Sequence, residues 1–236
     1  MPPRTAHPDD SPSPLARVQA RIAAAAVAAG RPAEAVTLVA VSKTQPAARV
    51  AALAAEGQRD FGENYVQEAL PKMATLAELG LTWHFIGRLQ SNKTREVASH
   101  FDWLHSLDRL RLAERLSAQR PPERPPLQCL IEINAEAETS KGGVAFEALG
   151  ELIAAVRVLP GLALRGFMAM PPPREDTVIQ RAVFEDIVNR VAAWVPELDT
   201  LSLGTSGDFE AAIAAGSTLV RIGTAVFGPR ERHPSA

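Results

Sequence analysis

Cysteine is almost missing from this sequence. The 236 residues include one, Cys129, so an intrachain disulfide is excluded and a reducing compartment fits best. Its place inside the apolar stretch from Leu127 to Ile133 reads as a small buried hydrophobe. Tyrosine is equally scarce, with Tyr65 alone, which leaves few acid–base groups of that kind. Neither sign of charge dominates: 25 lysines and arginines face 27 acidic residues, for a net charge of −2. The basic residues are scattered, so nucleic-acid binding is not expected. Long hydrophobic runs are absent as well. The stretch from Ala23 to Ala29 is too short, after too polar a start, for a signal peptide, and no membrane segment is expected. The reading is cytoplasmic. His7, His100, His105 and His233 show no ligand spacing, so no metal site is expected. No Gly-x-Gly-x-x-Gly turn follows the first predicted strand, which removes support for an open dinucleotide-binding sheet.

What is present is an alternation of short apolar runs with longer Ala/Leu/Glu/Arg segments of helical period, the pattern of a parallel sheet covered by helices. Candidate strands are 38–42, 60–62, 83–86, 103–106, 127–133, 163–168, 200–203 and 218–222. Eight βα units imply an α/β fold, a single (β/α)8 TIM barrel, with an extra N-terminal helix over 15–29. The second and fourth strands are short and weakly β-forming, and the spacing is what argues for them. Helices are predicted over 63–79, 108–119, 146–159 and 176–195. The proline-rich residues 1–14 are expected to form a disordered tail, 15–230 the barrel, and 231–236 a short C-terminal tail. Residues 121–126 read as a surface connection.

Lys43 ends the run Val36-Thr37-Leu38-Val39-Ala40-Val41, just before Thr44-Gln45-Pro46 turns the chain. An amine where a buried strand opens into a loop is placed to form a Schiff base, because desolvation favours its neutral, nucleophilic form. Lys141 lies in a polar, glycine-rich loop where exposure keeps it protonated, and Lys93 reads as the solvated start of a helix.

The last two strands run into Gly204-Thr205-Ser206-Gly207 and Gly223-Thr224. In barrels of this kind phosphates bind between the loops after strands seven and eight. Glycines there admit the anion, hydroxyls donate to it, and the helix from about Phe209 adds its positive end. Arg221 lies between outward-facing Val220 and Ile222, so strand parity turns it into the barrel, where it needs an acceptor such as a bound ring nitrogen or Glu132. Parity places Glu132 and Asn134 inward too. Asn64 either meets a ligand at the mouth or caps its own helix. His84 is read as a ligand donor or a hydrogen-bonded core histidine. A carbonyl compound bearing a phosphate is implied. A cofactor-free Schiff-base aldolase satisfies the same residues.

Several segments carry a closer likeness: Val41-Ser42-Lys43-Thr44, Phe61-Gly62-Glu63-Asn64-Tyr65-Val66-Gln67-Glu68, Trp83-His84-Phe85-Ile86-Gly87, Leu89-Gln90-Ser91-Asn92-Lys93 and Arg221-Ile222-Gly223-Thr224. In order and content, from about Leu15 to Arg230, they resemble the YggS/PROSC family of pyridoxal-phosphate homeostasis proteins. The resemblance implies a fold-type III barrel like the N-terminal domain of alanine racemase, with pyridoxal 5′-phosphate (PLP) as a Schiff base on Lys43. It implies Ser206, Gly223 and Thr224 at the phosphate, with Asn64 and Arg221 near the ring; His84, Thr205 and Gly204 are further candidates for the cofactor site. Thr205 stands where relatives commonly carry methionine, and Arg88 where many carry proline. The implied role is PLP homeostasis, with PLP donated to apoenzymes, as a monomer and without established catalysis. The alternative is a PLP-dependent racemase or decarboxylase, which needs a second acid–base group opposite the lysine, and Tyr65 and Cys129 are poor candidates.

Overall fold

The computed structural model describes residues 11–136, 142–194 and 197–228. Strand β1 is Thr37–Val41, followed by β2 Asp60–Glu63, β3 Thr82–Phe85, β4 Trp103–Leu107, β5 Leu127–Ile133, β6 Leu162–Ala169, β7 Thr200–Ser202 and β8 Leu219–Ile222. Each pairs in parallel with the next, and β8 pairs with β1 from Thr37↔Leu219 to Ala40↔Ile222, so the sheet closes into an eight-stranded barrel. That pairing excludes the open sheet. The short second and fourth strands are both present.

Nine helices connect the described strands or flank them: α1 Pro14–Ala28, α2 Ala47–Ala55, α3 Val66–Thr75, α4 Thr94–His100, α5 Leu110–Gln119, α6 Leu149–Arg157, α7 Thr177–Val191, α8 Phe209–Ala214 and α9 Thr224–Phe227. Local sequence explains their starts. Ser13 Oγ accepts from Ala16 N–H at 3.1 Å with Pro14 in the first turn of α1, and Asp176 Oδ1 accepts from Val178 and Ile179 at 2.7 and 3.3 Å at the start of α7. Helix α1 buries Leu15, Val18, Ile22 and Ala26, one helical stripe. Ser13 and Pro14 therefore belong to the start of α1, whereas residues 1–10 and 231–236 of the expected tails lie outside the described residues.

One predicted boundary is corrected. Glu63 ends β2 and is fully buried, and helix α3 begins only at Val66.

Alternate strand residues serve two compartments. Leu38, Ala40, Phe61, Phe85, Val220 and Ile222 pack outward under the helices in one continuous core. The barrel interior is unusually polar: Gly62 and Val39 lie beside buried His84, His105, Ser202 and Arg221. Cys129 is fully buried in β5, as expected of a small hydrophobe.

Candidate functional site

Both loop groups singled out in the sequence meet at the C-terminal end of the barrel, because β8 closes onto β1. A cavity of about 270 Å³ opens there, lined by Lys43 and Gln45 after β1, Asn64 after β2, Thr205 and Ser206 after β7, Arg221 of β8, and Gly223 and Thr224 beyond it. Lys43 is half-buried, and its amine has no hydrogen bond or ion pair among the described residues; nor do the Ser206 and Thr224 hydroxyls. Asn64 Oδ1 is buried without a partner among the same residues. Asn64 does not cap α3, whose N-cap is Tyr65. Of its two sequence readings, the one at the mouth is the one the geometry permits. Gly87 keeps it there, because a Cβ on that residue would fall 2.2 Å from the Asn64 carbonyl oxygen.

Lys43 is set up from behind. The fully buried Glu63 Oε1 accepts from Lys72 Nζ and Ser42 Oγ, each at 2.6 Å, and Lys72 also donates to the Ser42 carbonyl at 2.7 Å. Burial pushes the Glu63 carboxyl above its ordinary pKa, although Lys72 and Ser42 hold it back. In front of Lys43, Thr44 takes a left-handed φ of 64°, the only non-glycine among the described residues to do so, and its N–H donates to Glu68 Oε2 at 3.0 Å. The lysine thus follows a clamped carbonyl and precedes a tight bend.

Arg221 is 6% exposed. Its Nη1 donates to the Ser202 carbonyl at 2.7 Å and to Ser202 Oγ at 2.5 Å, and Nη2 to the Ala169 carbonyl at 3.3 Å. Parity placed it correctly, but no hydrogen bond joins it to Glu132, the acidic neighbour expected from sequence. Burial pushes its pKa down to about 10, with Asp208 and Glu132 opposing, so it stays cationic at neutral pH.

The three further candidates each have a local setting of their own. His84 does not reach the cavity: it is 1% exposed and both ring nitrogens are engaged inside the barrel. Thr205 lines the cavity, but its N–H and hydroxyl both donate to Asp208 Oδ1, at 2.6 and 3.0 Å, and are lost to an anion. Gly204 shapes the corner. Its φ of 91° and the 2.7 Å separation a Cβ would have from Ala212 Cβ require glycine, and its carbonyl accepts the Arg221 backbone N–H at 3.1 Å. Lys141, the competing lysine, lies outside the described residues. Sequence reasoning missed Gln45 and Phe227 in the lining and the Glu63–Lys72 pair behind Lys43. Gln45 had a signal, the bend after β1; Phe227 had none.

A second cavity of about 270 Å³ shares Asn64, Ile86, Met170 and Arg221 with the first and adds Arg88, Glu132 and Asn134. Burial first, and Asp108 next, raise the Glu132 pKa against Arg221 and Arg88. An acid whose pKa rises on folding contributes most stability below its unfolded value and loses it as pH climbs through the folded value. Glu132→Gln is therefore expected to stabilise the chain by about 1 kcal/mol at pH 8 and to be near neutral at pH 4, checked by urea unfolding at both pH values.

The comparisons with known proteins agree with this fold. The family model of the alanine racemase N-terminal domain matches residues 14–231. The chain is 55% identical over 223 residues to the pyridoxal phosphate homeostasis protein of Escherichia coli strain K12, covering 92% of this chain and 95% of that one. The chain belongs to this family. A second relative of the same description, from Pseudomonas aeruginosa, is 54% identical over 217 residues, 92% of this chain and 94% of its own. Among solved structures, PipY of Synechococcus elongatus PCC7942 with PLP bound superposes with a TM-score of 0.77 at 34% identity, over 89% of this chain and all of that one. The family barrel is thus the one described above, down to its closed parallel sheet.

Proposed function

We propose that this chain binds pyridoxal 5′-phosphate on Lys43 and serves intracellular PLP homeostasis in the cytoplasm, as a monomer that supplies the cofactor to apoenzymes. The observation that carries the reading is the convergence on one cavity of a lysine amine and two hydroxyls that are unengaged among the described residues, beside a buried cation. Relatives at 55% and 54% identity are named for this role, and PipY was solved with PLP bound.

The residues fit the cofactor. When bound, PLP supplies an aldehyde carbon and an electron-withdrawing ring. Lys43 Nζ makes the covalent attachment. The Ser206 and Thr224 hydroxyls and the Gly223 turn hold the phosphate, whereas Thr205 only shapes the loop through Asp208. Asn64 and Arg221 face the ring, and Arg221 presents a cation there rather than an acid.

A carrier suits the described residues better than a racemase. Tyr65 is 57% exposed and lies outside the Lys43 cavity, and burial pushes the Cys129 thiol far above its ordinary pKa. Neither is placed as a second acid–base group.

The test is direct. The protein loaded with PLP and reduced with borohydride is expected to carry one pyridoxyl group, on the peptide containing Lys43, and the unreduced form to reactivate an apo PLP enzyme faster than equal free PLP. Label on another lysine would overturn the site, and equal reactivation would overturn the supply role.

A further inference from the structure

Below Arg221 the barrel interior holds a continuous line of polar side chains. Ser202 Oγ lies 3.1 Å from His105 Nδ1, His105 Nε2 lies 2.9 Å from His84 Nδ1, and His84 Nε2 lies 3.0 Å from Asp60 Oδ1. Ser202 and His105 are 0% exposed and His84 is 1% exposed, whereas the Asp60 side chain, at the opposite end of the barrel, is 29% exposed. The line therefore runs from the wall of the Lys43 cavity to the far mouth.

Hydrogen-bond chemistry gives this line a direction. A guanidinium only donates, so Ser202 Oγ accepts from Arg221. The one acceptor for the serine proton, among the described residues, is His105 Nδ1. With the serine proton given to it, His105 carries its hydrogen on Nε2 and donates to His84 Nδ1, and His84 in turn donates from Nε2 to the Asp60 carboxylate. Each donor meets one acceptor. Burial, with His84 and Arg221 nearby, holds the His105 pKa well below its ordinary value, in keeping with a neutral ring that accepts from serine.

We propose that Ser202, His105 and His84, anchored at Asp60, form a one-way hydrogen-bond chain that positions the Arg221 guanidinium in the wall of the Lys43 cavity. The three are positioning residues, since none of them lines that cavity. The chain makes the orientation of a cofactor-facing cation depend on side chains that a ligand never touches. Its effect on binding rests on the reading that Arg221 faces PLP.

The test separates the two ideas. In the unmodified chain without cofactor, long-range ¹H–¹⁵N spectra are expected to show His84 and His105 both as neutral Nε2–H tautomers, and the Arg221 Nη protons as separate, slowly rotating signals. A cationic His84, or hydrogen on Nδ1 of His105, would overturn the proposal without any variant. Ser202→Ala is expected to merge the Arg221 signals and to raise the PLP dissociation constant about 10-fold, in a chain that still folds cooperatively at a lowered thermal midpoint. Arg221→Lys serves as the reference. If Arg221→Lys weakens PLP and Ser202→Ala changes neither signals nor affinity, the positioning chain fails. If Arg221→Lys binds PLP like the parent, the cofactor-facing reading of Arg221 fails, and the effect on affinity with it.

Discussion

Lys43→Ala is expected to lose covalent PLP altogether: no visible absorbance after desalting, no pyridoxyl mass after borohydride, and a dissociation constant raised by about 100-fold or more, since only phosphate and ring contacts remain. The same variant is expected to fold with stability within about 0.5 kcal/mol of the parent. Both halves follow from one observation: the Lys43 amine is half-buried and makes no hydrogen bond or ion pair among the described residues, so its removal takes nothing from the fold. Absorbance, mass spectrometry and urea unfolding of one preparation decide the matter. Retention of covalent cofactor would move the attachment to another lysine, and a large loss of stability would mean that Lys43 is structural.

Lys72→Met is expected to act first on stability. Its ammonium is buried against Glu63 and the Ser42 carbonyl, so truncation strands a carboxylate that is 0% exposed and whose Oε2 already has no partner among the described residues. Removing one partner of such a pair costs about 3–5 kcal/mol, whereas replacing both by apolar groups of similar volume is close to neutral. The double variant Glu63→Leu, Lys72→Met should accordingly recover most of the loss, measured by chemical denaturation. An additive or worse double variant would show that the pair is not coupled as the geometry requires. Because Lys72 also grips the carbonyl that precedes Lys43, the single variant should weaken PLP as well.

These two lysines show what was legible from sequence and what was not. The place of Lys43 at the barrel mouth could be read because a strand-end lysine before Thr44-Gln45-Pro46 breaks a regular apolar pattern, and that of Arg221 because parity between Val220 and Ile222 leaves only the inside for it. The barrel followed from counting βα units, even where Asp60–Glu63 has weak strand propensity, since ring closure overrides local preference. Lys72 was invisible for a plain reason: Glu63 read as the start of a helix, and a charged residue within α3 looks solvated until its helix is docked. Thr205 misled in the opposite way. A hydroxyl in a glycine-rich loop reads as an anion donor, and only the three-dimensional turn shows Asp208 taking both of its hydrogens. The line from Ser202 to Asp60 joins four strands across 142 positions of sequence numbering (202 minus 60), and no local pattern reports it.

Closure of β8 onto β1 has a consequence for how the protein comes into being. Lys43 leaves the ribosome well ahead of Ser206, Arg221 and Gly223. At roughly 5–20 residues per second, the nascent chain waits for many seconds with Lys43 made and the loops after β7 and β8 unmade. If Lys43 and the loops after β7 and β8 hold PLP as proposed, it is a ligand of the finished ring alone, and by mass action a clasp across the seam between the first strand and the last.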